Sequence, residues 1–312
     1  MPMDELRRAS ARVAQRARRV RVDGDAIPAY AASLRELLTS TDAAAAPESS
    51  TPSRRERAAA FWLTLDAINF GSGWFPQLRK RDDASGYNTI AAHWRERHDR
   101  DGPFTALELI ELDQCAVARL LGQDPAHELM ALHAASLNDL GAHIRSEHDG
   151  RFSGPADAAA GSAETLARTL GGWDCFADVS RYEGLRVPFL KRAQIAAADL
   201  HRAGAARLHD LDRLTMFADN LVPHVLRLDG VLRYDEELAA RIESGRLLVH
   251  GSREEIEIRA CAVHAVELIV AQLRDAGRPG ATAASVDDLL WNRGQGPRYK
   301  AVPRHRSRCT AY

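Results

Sequence analysis

Apolar residues recur at spacings of three and four through most of this 312-residue chain, and that period commits it to helices. The pattern predicts helices over Glu56–Asn69, Ala106–Leu121, Ala126–Ile144, Ala163–Leu170, Asp235–Ser244 and Ile256–Asp275. Few stretches alternate in the strand period. Val20–Val22 and Leu247–His250 are expected to form short β pieces, and no large sheet is expected. No unit of roughly 30 to 45 residues repeats, which argues against a helical solenoid. The run from Ser40 to Arg55 reads as a surface loop after a first helical hairpin, and no other stretch resembles a linker. One mainly α, globular domain over residues 1–312 is therefore expected. Its core should be mostly Ala, Leu, Val and Ile, because 45% of residues are hydrophobic and only 6% aromatic.

Several function classes drop out on charge and cysteine usage. A formal net charge of −1 excludes a globally basic nucleic-acid binder but leaves room for a local positive pocket. Cys115, Cys175, Cys261 and Cys309 are scattered without a CxxC pair, and the 12 His form no HExxH. Neither a metal site, a disulfide framework nor a cofactor is expected. No apolar run approaches the ~20 residues of a membrane span, so a cytoplasmic protein is expected. Arg7–Arg21 has the Arg- and Ala-rich look of a transit peptide, yet its apolar spacing suits a first helix of the fold. Arg298–Arg308 packs Arg298, Lys300, Arg304, His305, Arg306 and Arg308 together, which is ordinarily a solvated tail.

Among 42 Lys and Arg residues, only Lys80, Lys191 and Lys300 are lysines. A Lys kept inside an apolar, helix-forming segment suggests a site that needs a compact ammonium, with drift as the plainer alternative. The segment VPFLKRAQIAAADL from Val187 reads as a helix with Pro188 near its start. At about 100° per residue, Lys191, Gln194, Ile195, Ala198 and Asp199 share one face, which suits a small polar ligand or an ordinary buried ion pair. Further on, Asp219 stands between apolar flanks, with Pro223 placed to open the next helix. Such an Asp is either a helix cap or an acid held in a dry pocket.

VPFLKRAQ from Val187, the run Leu214–Asp219 continuing to Pro223, Leu232–Leu238, GSREEIEIRACAVHAVELI from Gly251 and HRSRCTAY from His305 resemble the queuosine salvage protein family. Weaker matches follow in order at Asp66–Phe70, Ser85–Tyr87 and Leu112–Gln114. Collinear words of this length are far more specific than any short motif. The resemblance implies an N-glycosylase that hydrolyses queuosine 5′-phosphate to queuine and ribose 5-phosphate, for queuine salvage into tRNA. It implies a small-molecule substrate, no direct nucleic-acid partner, and a fold like the helix-hairpin-helix DNA glycosylases.

Breaking an N-glycosidic bond develops positive charge on the sugar and negative charge on the base, so a carboxylate must lie beneath the sugar and donors around the base. Queuine, a 7-deazapurine, lacks the N7 whose protonation helps ordinary purines leave. Under the resemblance Asp219 is the catalytic carboxylate and Asp199 the alternative. Phe217 stacks on the base. Asp287 contacts the base and Trp291 walls it, with Asp288, Asn292, Asn69 and Phe70 as further lining. Asp66 and Trp74 belong to the same upstream cluster, although Asp66 and Asn69 suit a helix polar face and C-cap equally well. Lys191, Arg192 and Gln194 take the phosphate and ribose. The terminal His305, Arg306, Arg308 and Cys309 imply a docked tail near the phosphate. Two departures stand out: Asp288 and Asn292 replace a Tyr and an Asp common in relatives, and a His expected near Pro47–Pro52 is missing. A base glycosylase of DNA or RNA, using Lys191 as a Schiff-base nucleophile, ranks second. A non-enzymatic helical adaptor ranks third. The chain lacks the broad basic face that a duplex binder needs.

Overall fold

The computed structural model describes residues 2–38, 51–82 and 84–312. In chain order their helices are α1 Pro2–Arg16, α2 Ile27–Leu34, α3 Pro52–Ala67, α4 Gly86–Asp101, α5 Ala106–Glu111, α6 Gln114–Leu120, α7 Glu128–His148, α8 Gly154–Ala158, α9 Ala163–Leu170, α10 Lys191–Arg202, α11 Val222–Leu228, α12 Glu236–Glu243, α13 Arg253–Asp275, α14 Ala283–Arg293 and α15 Pro297–Lys300. The strands are β1 Val20–Val22, β2 Val179–Tyr182, β3 Leu185–Pro188 and β4 Leu232–Tyr234. They form two antiparallel pairs, β1 with β4 and β2 with β3, so the mainly α expectation holds.

The chain sorts into two compact units that alternate along the sequence. The first takes the described parts of Met1–Ala44 with Val179–Lys191 and Leu211–Arg308. The second takes the described parts of Ala45–Asp178 with Arg192–Asp210 and Cys309–Tyr312. Because the segments interleave, no linker in the sequence could have marked this division.

The first unit is built on α13. Its apolar residues are buried on nearly every side, as expected of a helix enclosed by others. Helix α1 packs on it and buries Leu6 and Val13, so the Arg-rich first segment is part of the core. Glu257 on α13 fixes the passage from α1 into β1: its Oε2 accepts from the backbone N–H of Arg18, Arg19 and Val20 at 3.1, 2.8 and 3.2 Å. Its Oε1 accepts from the Tyr182 hydroxyl at 2.8 Å. β1 pairs with β4 in the register Val20↔Tyr234, Arg21↔Arg233 and Val22↔Leu232.

The second unit is organised around α7, against which α3, α5, α6 and α8 pack. Thr64 on α3 accepts from the Trp94 indole N–H of α4 at 2.9 Å and donates to the Ala60 carbonyl at 2.7 Å, so two buried polar groups are satisfied at one hydroxyl.

Four boundaries differ from the periodicity reading. The single helix expected over Ala106–Leu121 is two, because the Asp113 side chain accepts from the Ala116 N–H at 2.7 Å and starts a new helix. Pro188 does not open a helix. It ends β3 opposite Val179, and the helix begins only at Lys191. Leu247–His250 is not a strand, although the Leu248 N–H donates to the Arg306 carbonyl at 2.9 Å. Within the expected Ser40–Arg55 loop, residues 40–50 lie outside the described residues, and Pro52–Arg55 are already helical. Thr51 caps α3 by accepting from the Arg54 N–H at 3.3 Å, with Pro52 in its first turn.

Candidate active site

In the first unit, residues from four separate segments are linked electrostatically in series: Lys191 at the start of α10 with Asp287 on α14, Asp287 with Asp219 before α11, and Asp219 with Arg304 in the C-terminal segment. Leu190, directly before Lys191, turns the chain at φ 49°, a conformation that a branched side chain rarely adopts. Along Met216–Asn220 burial alternates, so half-buried Phe217 and Asp219 face one side while Met216, Ala218 and Asn220 face the core. The Phe217 N–H donates to Asp287 Oδ1 at 2.9 Å, which ties the turn to α14. Trp291 lies one helical turn beyond Asp287.

Of its two readings, the structure shows Asp219 in the capping one. Its Oδ1 accepts from the N–H groups of Leu221 and Val222 at 2.8 and 3.2 Å, so it serves the start of α11 in place of a side chain at Leu221. Both bonds fall on one oxygen, leaving Oδ2 for another partner. Burial pushes the Asp287 carboxyl well above the usual carboxylate range, and the Asp219 charge pushes it further, against the Phe217 N–H bond and the Lys191 charge. The protonated form of Asp287 is thereby favoured beside an acid that caps a helix. Burial also lowers the Arg304 pKa, opposed by the Asp219 charge.

The second unit also holds a cluster of titratable residues. Tyr87 on α4 faces the carboxylates of Asp66 on α3 and Asp199 on α10. Burial first, and then those two charges, raise its pKa, so its hydroxyl stays protonated. Asp66 is wholly buried, which rules out the polar-face reading. Asn69 is not the C-cap of α3, a place that Ile68 takes. Asp199 Oδ1 accepts from Arg202 Nη1 at 2.5 Å. Arg192 is also buried, and its Nη1 donates to the Ala67 carbonyl at 2.5 Å. Its guanidinium lies 4.9 Å from the Phe70 ring centroid, and His133 meets the same ring edge-on at 4.8 Å. Burial lowers the Arg192 pKa to about 10, which still leaves it charged near neutrality. Gln194 is buried as well, and Trp74 donates its indole N–H to Glu128 at 2.8 Å.

The sequence-predicted residues therefore fall into distinct settings. Lys191, Phe217, Asp219 and Asp287 belong to the first unit's cluster, and Trp291 stands one helical turn from Asp287. Asp288 and Asn292 are exposed on α14 and bond to each other, Asn292 Nδ2 donating to the Asp288 carbonyl at 2.9 Å. Asp199, Arg192, Gln194, Asn69 and Phe70 belong to the second unit. Among the described residues, no group of three or more His, Cys, Asp and Glu is placed to hold a metal ion. No helix among them is long and apolar enough to cross a membrane. A surface cavity of about 590 Å³ in the second unit, lined by His93, Arg97, Arg100, Phe104 and Arg119 among others, contains none of the predicted residues. Two of its arginines pair with Asp101, at 2.8 Å for Arg100 and 3.8 Å for Arg97.

The model of the queuosine salvage protein family matches residues 49–312. The chain belongs to that family. A queuosine 5′-phosphate N-glycosylase/hydrolase of Sphaerobacter thermophilus is 34% identical over 267 residues, covering 83% of this chain and 82% of the relative. Proteins of the same name from Mus musculus and Bos taurus are 30% and 28% identical, each alignment covering 84% of both chains.

In this queuosine salvage family member the sequence does not single out Arg304, which stands as one of several tail arginines. It also gives Tyr87 no role beyond its place in the Ser85–Tyr87 word. Residue type gave no signal for either. Arg304 is distinguished by half-burial beside Asp219, and Tyr87 by its two carboxylate neighbours, and both are tertiary facts.

Proposed function

We propose that this chain hydrolyses the N-glycosidic bond of queuosine 5′-phosphate, releasing queuine and ribose 5-phosphate and so returning queuine for use in tRNA. The observation that carries the reading is the pair of carboxylates, Asp219 half-exposed and Asp287 buried, bracketed by Lys191 and Arg304 in a family whose relatives bear that activity in their names. Asp219 lies beneath the sugar and stabilises the positive charge that grows at C1′ as the bond to the base nitrogen breaks and its electron pair leaves with the base. Water supplies the new oxygen at C1′, and its proton goes to the departing base. Phe217 offers its face to the base. Asp287, with Trp291 beside it, meets the donors on the base edge, and ionisation of its raised carboxyl is favoured as those donors arrive. Lys191 neutralises the 5′-phosphate as a point charge. Asp199 is the alternative acid.

The test is direct. The purified protein is incubated separately with queuosine 5′-phosphate, with queuosine, and with a duplex carrying a damaged base, and the released bases are separated by chromatography. Free queuine from the nucleotide is the expected result. Absence of queuine sinks the proposal, and a base released from the duplex assigns the chain to nucleic-acid repair chemistry instead.

A further inference from the structure

We propose that Arg259, on α13, is a positioning residue that fixes the peptide unit carrying Asp219. The inference rests on the reading of Asp219 as the carboxylate beneath the sugar. The Asp219 N–H donates to the Phe217 carbonyl at 2.6 Å, closing a three-residue turn with Ala218 at its centre. A turn of this kind leaves the carbonyl of its middle residue outside the ring. Ala218 is wholly buried, so its carbonyl needs a donor from the protein. Arg259 Nε supplies it at 2.8 Å. The Ala218 carbonyl and the Asp219 N–H belong to one peptide plane, which is therefore gripped at both ends.

The clamp is itself held. The wholly buried Arg259 guanidinium lies 3.9 Å from the Phe189 ring centroid, and its Nη1 meets Glu255 Oε1 at 3.3 Å one helical turn away. Glu255 Oε2 accepts from the Gly251 N–H at 3.1 Å, and His250 Nδ1 stands 3.6 Å from Oε1. On the other side of the turn, Asn220 Nδ2 donates to the His305 carbonyl at 2.9 Å, which fastens the C-terminal segment to the residue after Asp219. A buried ion pair rarely adds net stability over well-packed apolar residues. What this one provides is a charge-assisted bond, stiff and directional, onto the Ala218 carbonyl of the peptide unit that leads into Asp219, whose carboxylate must not move.

The test uses Arg259→Lys, which keeps a cation opposite Glu255 but lacks the fork to hold Glu255 and Ala218 together. Queuine release from queuosine 5′-phosphate should show kcat reduced by about 10² or somewhat less, the scale of a misplaced reacting group, with KM nearly unchanged. The same substitution made on top of Asp219→Asn should cost nothing further, because Arg259 acts only through Asp219. If Arg259→Lys does not fold, the charge-free pair Arg259→Met with Glu255→Gln carries the same readouts. Unchanged kcat in the folded variant, or an undiminished loss in the Asp219→Asn background, overturns the positioning role and leaves the Asp219 reading intact. Full turnover by Asp219→Asn alone overturns both.

Discussion

Asp219 caps α11 and is proposed here to carry the catalytic charge, and the two roles can be separated by substitution. Asparagine keeps a side-chain oxygen where Oδ1 now accepts from Leu221 and Val222, but it cannot offset a positive charge at C1′. Asp219→Asn is therefore expected to keep its melting temperature and to lose about 10²-fold or more in turnover. Asp219→Ala should lose the same turnover and, in addition, about 1 kcal/mol of stability, measurable by urea titration. A variant that loses stability but not turnover would reduce Asp219 to a cap. Lys191 makes the matching prediction for the other end of the substrate. Lys191→Ala should raise KM for queuosine 5′-phosphate by far more than for queuosine, by about 2–5 kcal/mol if the lost contact is a desolvated charge pair. Equal losses on both substrates would remove the phosphate role. At this scale the sequence was informative where a residue type is rare, as at Lys191, and silent where it is common, as at Arg304 among 42 basic residues.

The packing of α5 on α7 in the second unit depends on a position without a side chain. A Cβ on Gly141 of α7 would stand 2.6 Å from the Ala106 carbonyl oxygen and 2.9 Å from Leu109 Cβ, both on α5. Gly141→Ala improves helix propensity by about 1 kcal/mol, but the overpacking costs about 1–3 kcal/mol. A net fall in melting temperature is the expected result by calorimetry, and an increase would show that α5 shifts freely. The same stretch explains why periodicity misplaced a boundary. Apolar spacing runs on from Ala106 to Leu121, and only the choice of the Asp113 side chain to cap a new helix, rather than point to solvent, divides α5 from α6. Pro188 is the parallel case. A proline suits a helix start or the end of an edge strand, and pairing with β2 decides for the strand.

Burial holds His133 in the second unit and His305 in the first strongly against protonation, and this contributes to how stability responds to acid. Burial pushes both His133, in the second unit, and His305, in the first, down to about 3. For His133, the Phe70 carbonyl opposes the shift and the charges of Arg192 and His127 add to it. For His305, Glu255 opposes while Arg259, His224 and Arg304 add. An unfolded imidazole takes its proton near pH 6.5, so the unfolded state binds more protons as pH falls below that value. Stability present above about 6.5 is therefore lost progressively toward 3. Glu255 acts in a lower window. Burial raises its pKa, but Arg259, His250 and His305 together hold it at about 2, so its contribution persists above the unfolded value near 4.3 and fades only below it. Melting temperature should accordingly decline from pH 6.5 to 5, and His133→Gln with His305→Gln should flatten that decline. An unaltered slope would absolve both imidazoles.

By itself the sequence determined the helical class, because a period of three and four is a local property that any packing must accommodate. It also determined the family, because collinear words from Asp66 to the C-terminus are read without coordinates. It picked out Lys191, the pair Phe217 and Asp219, and Asp287, which lie on three separate segments, without being able to say which of them meet. Tertiary structure decided that. It turned Arg192 toward Ala67 while Lys191, one residue earlier, shares the field of Asp287. It left Asp288 exposed while Asp287 is buried, and it set Arg259 against the carbonyl before Asp219. Neighbouring residues on a helix point about 100° apart, so which of two adjacent charges faces a site depends on the helix's orientation in the fold, and no reading of residue types contains that orientation.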